Sequence, residues 1–118
     1  MMFMPSVNIK VYLAMGFTDM RKSINGLSIL VSEHLALNPF SGHLFVFCNR
    51  KRNMMKILYW EQNGFCLWHK KLEKHNFKWP DSKEHIKVMG KRELAWLLDG
   101  IDIHQKHAHK PLNYSIVY

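Results

Sequence analysis

Asn63-Gly64 lies between two runs of apolar and aromatic residues, 54–61 and 65–72. Asn-Gly in that setting is the strongest short-range hairpin signal, because a type I′ turn needs positive φ at both central residues. Such a turn would set the register, with Gln62 opposite Phe65, Trp60 opposite Leu67, Tyr59 opposite Trp68 and Lys56 opposite Lys71. A third strand candidate, 43–49, precedes this hairpin. The loop Arg50-Lys51-Arg52-Asn53 would place Cys48 opposite Met55. An antiparallel sheet is therefore expected at the centre of the fold.

Strand alternation puts Phe45, Phe47, Leu58, Trp60 and Leu67 on one face of that sheet. Leu44, Val46, Cys48, Ile57, Tyr59, Cys66 and Trp68 fall on the other. Neither face is polar, whereas antiparallel sheets commonly leave one face to water. Something must cover each side. A helix is expected over one; the C-terminal segment, a second protomer or a ligand are the candidates for the other.

The covering helix is sought before the sheet. Residues 8–14 alternate as a first strand, with Ile9, Val11 and Leu13 on one face, and Gly16-Phe17-Thr18 breaks it. Thr18 or Asp19 is suited to N-cap a helix. From Met20 to about Leu37, apolar residues Met20, Ile24, Leu27, Leu30, Val31 and Leu35 recur at helical spacing. Gly26 costs such a helix about 1 kcal/mol against Ala, which suggests a close approach to the sheet. Asn38-Pro39-Phe40-Ser41-Gly42 is a turn cluster. Beyond Leu72 the chain reads as irregular, then as a short strand at 85–88 and a helix at 91–98 stopped by Gly100. Residues 114–118 look strand-like. The whole is expected to be one α+β domain over 1–118, with its core at about 8–103, a main helix across an antiparallel sheet, a short C-terminal helix and a tail from 104 onward.

Charge narrows the function. The 118 residues carry 17 Lys+Arg against 9 Asp+Glu, a formal net charge of +8, with 47% apolar residues. That is a folding composition of single-domain length, and its basic excess asks for a polyanion, nucleic acid before an anionic membrane surface. Two cysteines make no disulfide scaffold, and neither a secretory signal nor a membrane span is visible. A cytoplasmic protein without a membrane role is expected. The excess concentrates between His43 and Pro80, where Arg50, Lys51, Arg52, Lys56, Lys70, Lys71, Lys74 and Lys78 face only Glu61 and Glu73. Like charges set opposite one another on a sheet are unfavourable, and phosphates would relieve them. With Arg21 and Lys22, which either join this group or anchor the helix start through Asp19, these are the candidate DNA-binding residues.

Most of the interleaved aromatics, Phe45, Phe47, Tyr59, Trp60 and Trp68, are expected in the core. Phe77 and Trp79 are the two that suit exposed stacking contacts with bases. His104, His107 and His109 lack any zinc-finger cysteine pair and read as tail residues, so no metal or cofactor is expected. There is no Gly-rich phosphate loop, nucleophile elbow or His-Glu-x-x-His. The acids Asp19, Glu33, Glu61, Glu73, Asp81, Glu84, Glu93, Asp99 and Asp102 are scattered, whereas two-metal nucleotidyl transfer needs several carboxylates converging on ions roughly 4 Å apart. Catalysis is not expected. A small nuclease would have to lean on Asp19 or Glu61.

Several stretches carry a resemblance. They are Thr18-Asp19-Met20-Arg21-Lys22-Ser23-Ile24-Asn25-Gly26-Leu27, Asn38-Pro39-Phe40-Ser41-Gly42, Leu44-Phe45-Val46-Phe47-Cys48-Asn49-Arg50, Lys56-Ile57-Leu58-Tyr59-Trp60, Asn63-Gly64-Phe65-Cys66-Leu67-Trp68, Lys71-Leu72-Glu73-Lys74, Phe77-Lys78-Trp79-Pro80 and 94–101. In this order and spacing the chain resembles the small TnpB accessory proteins of the sixty-six family of bacterial insertion sequences. They are not to be confused with the RNA-guided nuclease of the same name, for which this chain is far too short and lacks the acidic sites. The resemblance implies a non-catalytic role in transposition beside a separate, larger transposase, with element-end DNA, that transposase and a sibling accessory protein as partners; oligomerisation is left open. Departures from the family pattern are Lys71 where Arg is usual, His69 where Tyr is common, and His75-Asn76 where Gly-Arg is frequent. The rival expectation is an adaptor that binds the transposase or sibling through the second apolar sheet face without touching DNA.

Overall fold

A computed structural model describes residues 8–100; the strand expected at 114–118 and the three tail histidines lie outside them. Five strands, β1 (Val11–Ala14), β2 (Leu44–Cys48), β3 (Met54–Glu61), β4 (Gly64–Lys71) and β5 (Ile86–Met89), form one sheet in the order β4-β3-β2-β1-β5. Two helices pack with it. The first, α1 (Ile24–Ile29), runs on into a π-helical turn, Leu30–His34, and the second is α2 (Lys91–Leu98). The class is α+β, as expected.

One pairing departs from an all-antiparallel sheet. β1 lies parallel to β2, with Val11 beside Leu44 and Leu13 beside Val46. Parallel neighbours need a long crossover, and α1 supplies it by carrying the chain back to the start of the sheet. The other pairings are antiparallel, β5 closing against β1 with Ala14 opposite Ile86.

The β3–β4 hairpin turns one residue earlier than the Asn63-Gly64 turn predicts, with a two-residue loop in both cases. Its last pair is Glu61 with Gly64, so the turn residues are Gln62 and Asn63. Gln62 takes a φ of 52°, and the Asn63 N–H donates to the Glu61 carbonyl at 2.6 Å. The register therefore moves by two residues: Trp60 faces Phe65, Tyr59 faces Cys66, and Lys56 faces His69 rather than Lys71. Ring packing explains the preference. In this register Trp60 and Phe65 meet edge to face at 5.0 Å, and Phe40 packs against both, at 5.0 Å and 5.2 Å. Because a slip of two preserves side-chain direction, the expected division of the faces survives. Across β2–β3 the expected register holds, Cys48 opposite Met55.

On one face Phe45, Phe47 and Leu58 are buried beneath Leu27, Val31 and Leu35. These three helical positions are four apart, and each step of four overshoots a 3.6-residue turn. The wider π turn absorbs that overshoot, with the Leu35 N–H donating to the Leu30 carbonyl five residues back. The helix ends where Ala36 adopts a φ of 55°. It is shorter than the expected 20–37 at both ends. Gly26 makes no close approach to the sheet: the nearest atoms a Cβ there would meet belong to the Lys22 side chain, at 3.4 Å and beyond.

The second face is covered by the chain itself. Val11, Leu13, Leu44, Val46, Cys48, Met55 and Ile57 form one cluster with Phe77, Met89, and Leu94 and Leu97 of α2. Phe77 is thus core, not the exposed contact expected of it. Gly90 precedes α2 and donates its N–H to Glu93 Oε1 at 2.9 Å, half of a capping box. Gly100, at φ 84°, donates to the Leu97 carbonyl and stops the helix as expected.

Candidate nucleic-acid interface

Strand directions bring three loops to one end of the sheet: residues 15–23 after β1, 49–53 between β2 and β3, and 72–85 after β4. Backbone bonds lock them together. Thr18 donates to the Cys48 carbonyl at 2.8 Å, Leu72 to Asn53 at 2.8 Å, and Phe77 to Arg52 at 2.7 Å. The Asn49 side chain closes the middle loop by accepting the Asn53 and Met54 N–H groups at 3.0 Å each. Nine of the ten candidate DNA-binding residues sit on or beside this end.

Their environments differ. Lys22, Arg50, Lys51, Lys71, Lys74 and Lys78 are exposed. Arg21 is exposed too, its side chain 91% accessible, yet its guanidinium holds both Asp19 carboxylate oxygens at 2.7–3.1 Å. The Arg21 backbone N–H adds a bond to Asp19 Oδ1 at 2.9 Å. These contacts, side chain first and backbone second, lower the Asp19 carboxyl from 3.8 to about 2. Asp19 therefore organises its own turn and caps no helix. The residue before α1 is Ser23, without a side-chain cap. Arg52 is half-buried and acts as a strut: Nη1 donates to the Gly16 carbonyl at 2.8 Å, and its guanidinium lies 5.5 Å from the centroid of the half-buried Trp79. Burial raises the neighbouring Cys48 thiol, with Arg52 opposing that shift.

Two candidates are turned inward. Lys56 is only 9% exposed, and its ammonium donates to the Met20 and Lys22 carbonyls at 2.9 and 2.8 Å. It holds the approach to α1 onto the sheet. Those carbonyls point to Lys56, and the chain becomes helical only at Ile24. Lys70 sends its ammonium to the Leu98 carbonyl at 3.1 Å, at the C-terminal end of α2, where a cation complements the helix dipole. It borders a groove of about 450 Å³ shared with Leu72, His75, Asn76, Lys78, Leu98, Asp99 and Gly100.

Phe17 was not singled out by the sequence, yet it is 54% exposed on the same end, with the Arg50 guanidinium 4.2 Å from its ring centroid. The available signal was its position: an aromatic behind a breaking glycine, on neither the strand face nor the helical stripe. Asp19 and Glu61, the acids a nuclease would need, stand at opposite ends of the sheet. Among the described residues no three His, Cys, Asp or Glu side chains converge as a metal site, and no helix is long and apolar enough to cross a membrane.

Fold and surface together define a small α+β domain whose loops gather exposed cations at one sheet end. Residues 9–108 match the family of IS66 Orf2-like proteins, and the chain belongs to that family. It is an insertion-sequence accessory protein, associated with transposition. Two relatives come from Sinorhizobium fredii (strain NBRC 101917 / NGR234). The uncharacterized protein y4hO is 38% identical over 95 residues, covering 80% of this chain and 83% of the relative. The uncharacterized protein y4jC is 32% identical over 98 residues, covering 83% and 84%. No solved structure matches.

Proposed function

We propose that this accessory protein binds DNA through the basic end of its sheet and assists a separate transposase at the element ends, without catalysing strand cleavage itself. The observation that carries this reading is the convergence of Lys22, Arg50, Lys51, Lys74 and Lys78 as exposed cations on three loops bonded into one unit, with exposed Lys71 at the end of β4 beside them. Such a unit offers phosphates a fixed array, so less ordering is required at binding. Lys56 and Lys70 are left out of the array because their ammonium groups serve backbone carbonyls.

Retardation of element-end and scrambled duplexes across a salt series tests the reading. About six phosphate contacts give a slope of roughly −5 in log affinity against log salt. Replacing Arg50 and Lys51 together by Ala should flatten that slope by roughly 2. A salt-independent affinity, or no retardation at low salt, refutes it. The adaptor alternative drew on an uncovered second sheet face, and that face is occupied by α2 and Phe77. Recovery of the transposase by a variant that has lost all DNA binding would favour the adaptor reading.

A further inference from the structure

The basic end carries one apolar group that the fold holds outward. Gly16 turns the chain at φ 82°, and the residues on either side of Phe17 are both tied down. The Gly16 carbonyl accepts Arg52 Nη1 at 2.8 Å, and Thr18, itself buried, donates to the Cys48 carbonyl at 2.8 Å. Phe17 therefore stays in water because its backbone is fixed and not because the loop is slack. Its partner is Arg50, 4.2 Å from the ring centroid. An exposed aromatic ring beside a guanidinium, in a field of phosphate-binding cations, is the combination that stacks unpaired nucleic-acid bases.

We propose that Phe17, with Arg50 against it, is a stacking site for an unpaired DNA base, so that this end of the sheet prefers DNA whose base pairing is interrupted. The inference rests on the DNA-binding reading above and deepens it. A continuous duplex hides base faces inside the stack and offers Phe17 only a backbone. A gap or frayed end frees a face for the ring while the flanking phosphates remain within the field of Lys22, Lys51 and Arg50. Stacking one base is worth about tenfold to a hundredfold in affinity.

The test uses the full chain with two probes, a continuous duplex and the same duplex interrupted by a short single-stranded gap carrying a fluorescent adenine analogue. The wild-type protein should bind the gapped probe about tenfold or more tightly than the duplex, and should change the analogue's emission on binding. Phe17→Ala should abolish both the preference and the emission change. Its affinity for continuous duplex should stay within about twofold and its salt slope should be unaltered, since no cation has been removed. Phe17→Trp, which retains a π face, should keep the preference. Equal wild-type affinity for the two probes, or a preference that survives Phe17→Ala, overturns the stacking site while leaving duplex binding intact. Failure of the wild-type protein to bind either probe at low salt overturns the DNA-binding reading itself.

Discussion

Replacing Lys56 by Met separates a structural cation from a DNA-contacting one. Methionine keeps most of the apolar stem that packs between β2 and β4 but removes the ammonium, leaving the Met20 and Lys22 carbonyls without their donor. A hydrogen bond to a charged group contributes about 1.5–3 kcal/mol, so two give a gross loss of about 3–6 kcal/mol. Two terms reduce it. Burying the ammonium carried its own desolvation cost, and carbonyls in the approach to α1, where Lys22 is exposed, can recover water. The net destabilisation expected is about 2–4 kcal/mol, or a Tm lower by roughly 8–20 °C for a domain of this size. Urea unfolding should show a lower midpoint at an unchanged m-value.

Binding to element-end duplex provides the second readout. If the variant is compared where it remains folded, its salt slope should equal that of the wild type, because Lys56 meets no phosphate. Were its ammonium neutralising a phosphate, the substitution would flatten the slope by about 0.9. Lys71→Met is the reciprocal control: at an exposed site it should change stability by less than about 0.5 kcal/mol and flatten the slope by about 0.9. A Lys56→Met protein as stable as the wild type would refute the bracing role, and a flattened slope would return Lys56 to the interface.

Two titrations follow from the local electrostatics. Arg21→Ala should move the Asp19 carboxyl from about 2 back toward 3.8, followed by carboxyl-carbon NMR, and an unmoved titration would mean that Arg21 does not hold it. Because the folded value is depressed, the pair's contribution to stability is complete above about 3.8 and disappears as pH falls toward about 2, so neutral-pH stability should not depend on small pH changes there. His43 is lowered below its ordinary 6.5, by burial first and the charge of Lys10 second, and its Nδ1 accepts the Lys10 N–H at 3.0 Å. Protonation is therefore disfavoured in the fold: stability is full above 6.5 and declines as pH falls from there through the lower folded value. Imidazole and Lys10 amide resonances should share a midpoint below 6.5, and a midpoint at or above it would count against the bond.

Strands β2, β3 and β4 and helix α2 were legible because their signals are local. Alternation marks the faces of Phe45–Phe47 and Leu44–Val46–Cys48, and a glycine marks the stop after Leu98. The parallel pairing of β1 with β2 was not legible, since it depends on where α1 returns the chain. The hairpin register was missed for a related reason: Asn63-Gly64 favours one turn locally, while Phe40, over twenty positions earlier in the chain, packs on Trp60 and Phe65 only in the other.

At the candidate interface, local pattern along the chain is enough to show that cations concentrate between His43 and Pro80, that both sheet faces are apolar, and that the chain resembles insertion-sequence accessory proteins. These follow from composition, from a period of two and from ordered motifs, all of which are properties of neighbouring residues. Tertiary structure alone decided which cations face water. Lys56 and Lys71 look alike along a strand, yet one meets carbonyls brought from more than thirty residues away and the other meets solvent. It also exchanged the aromatic roles, burying Phe77 and holding Phe17 outward. The reason is physical: a side chain's exposure is set by what the rest of the chain places against it, and hydrogen bonds over such separations leave no trace in local pattern.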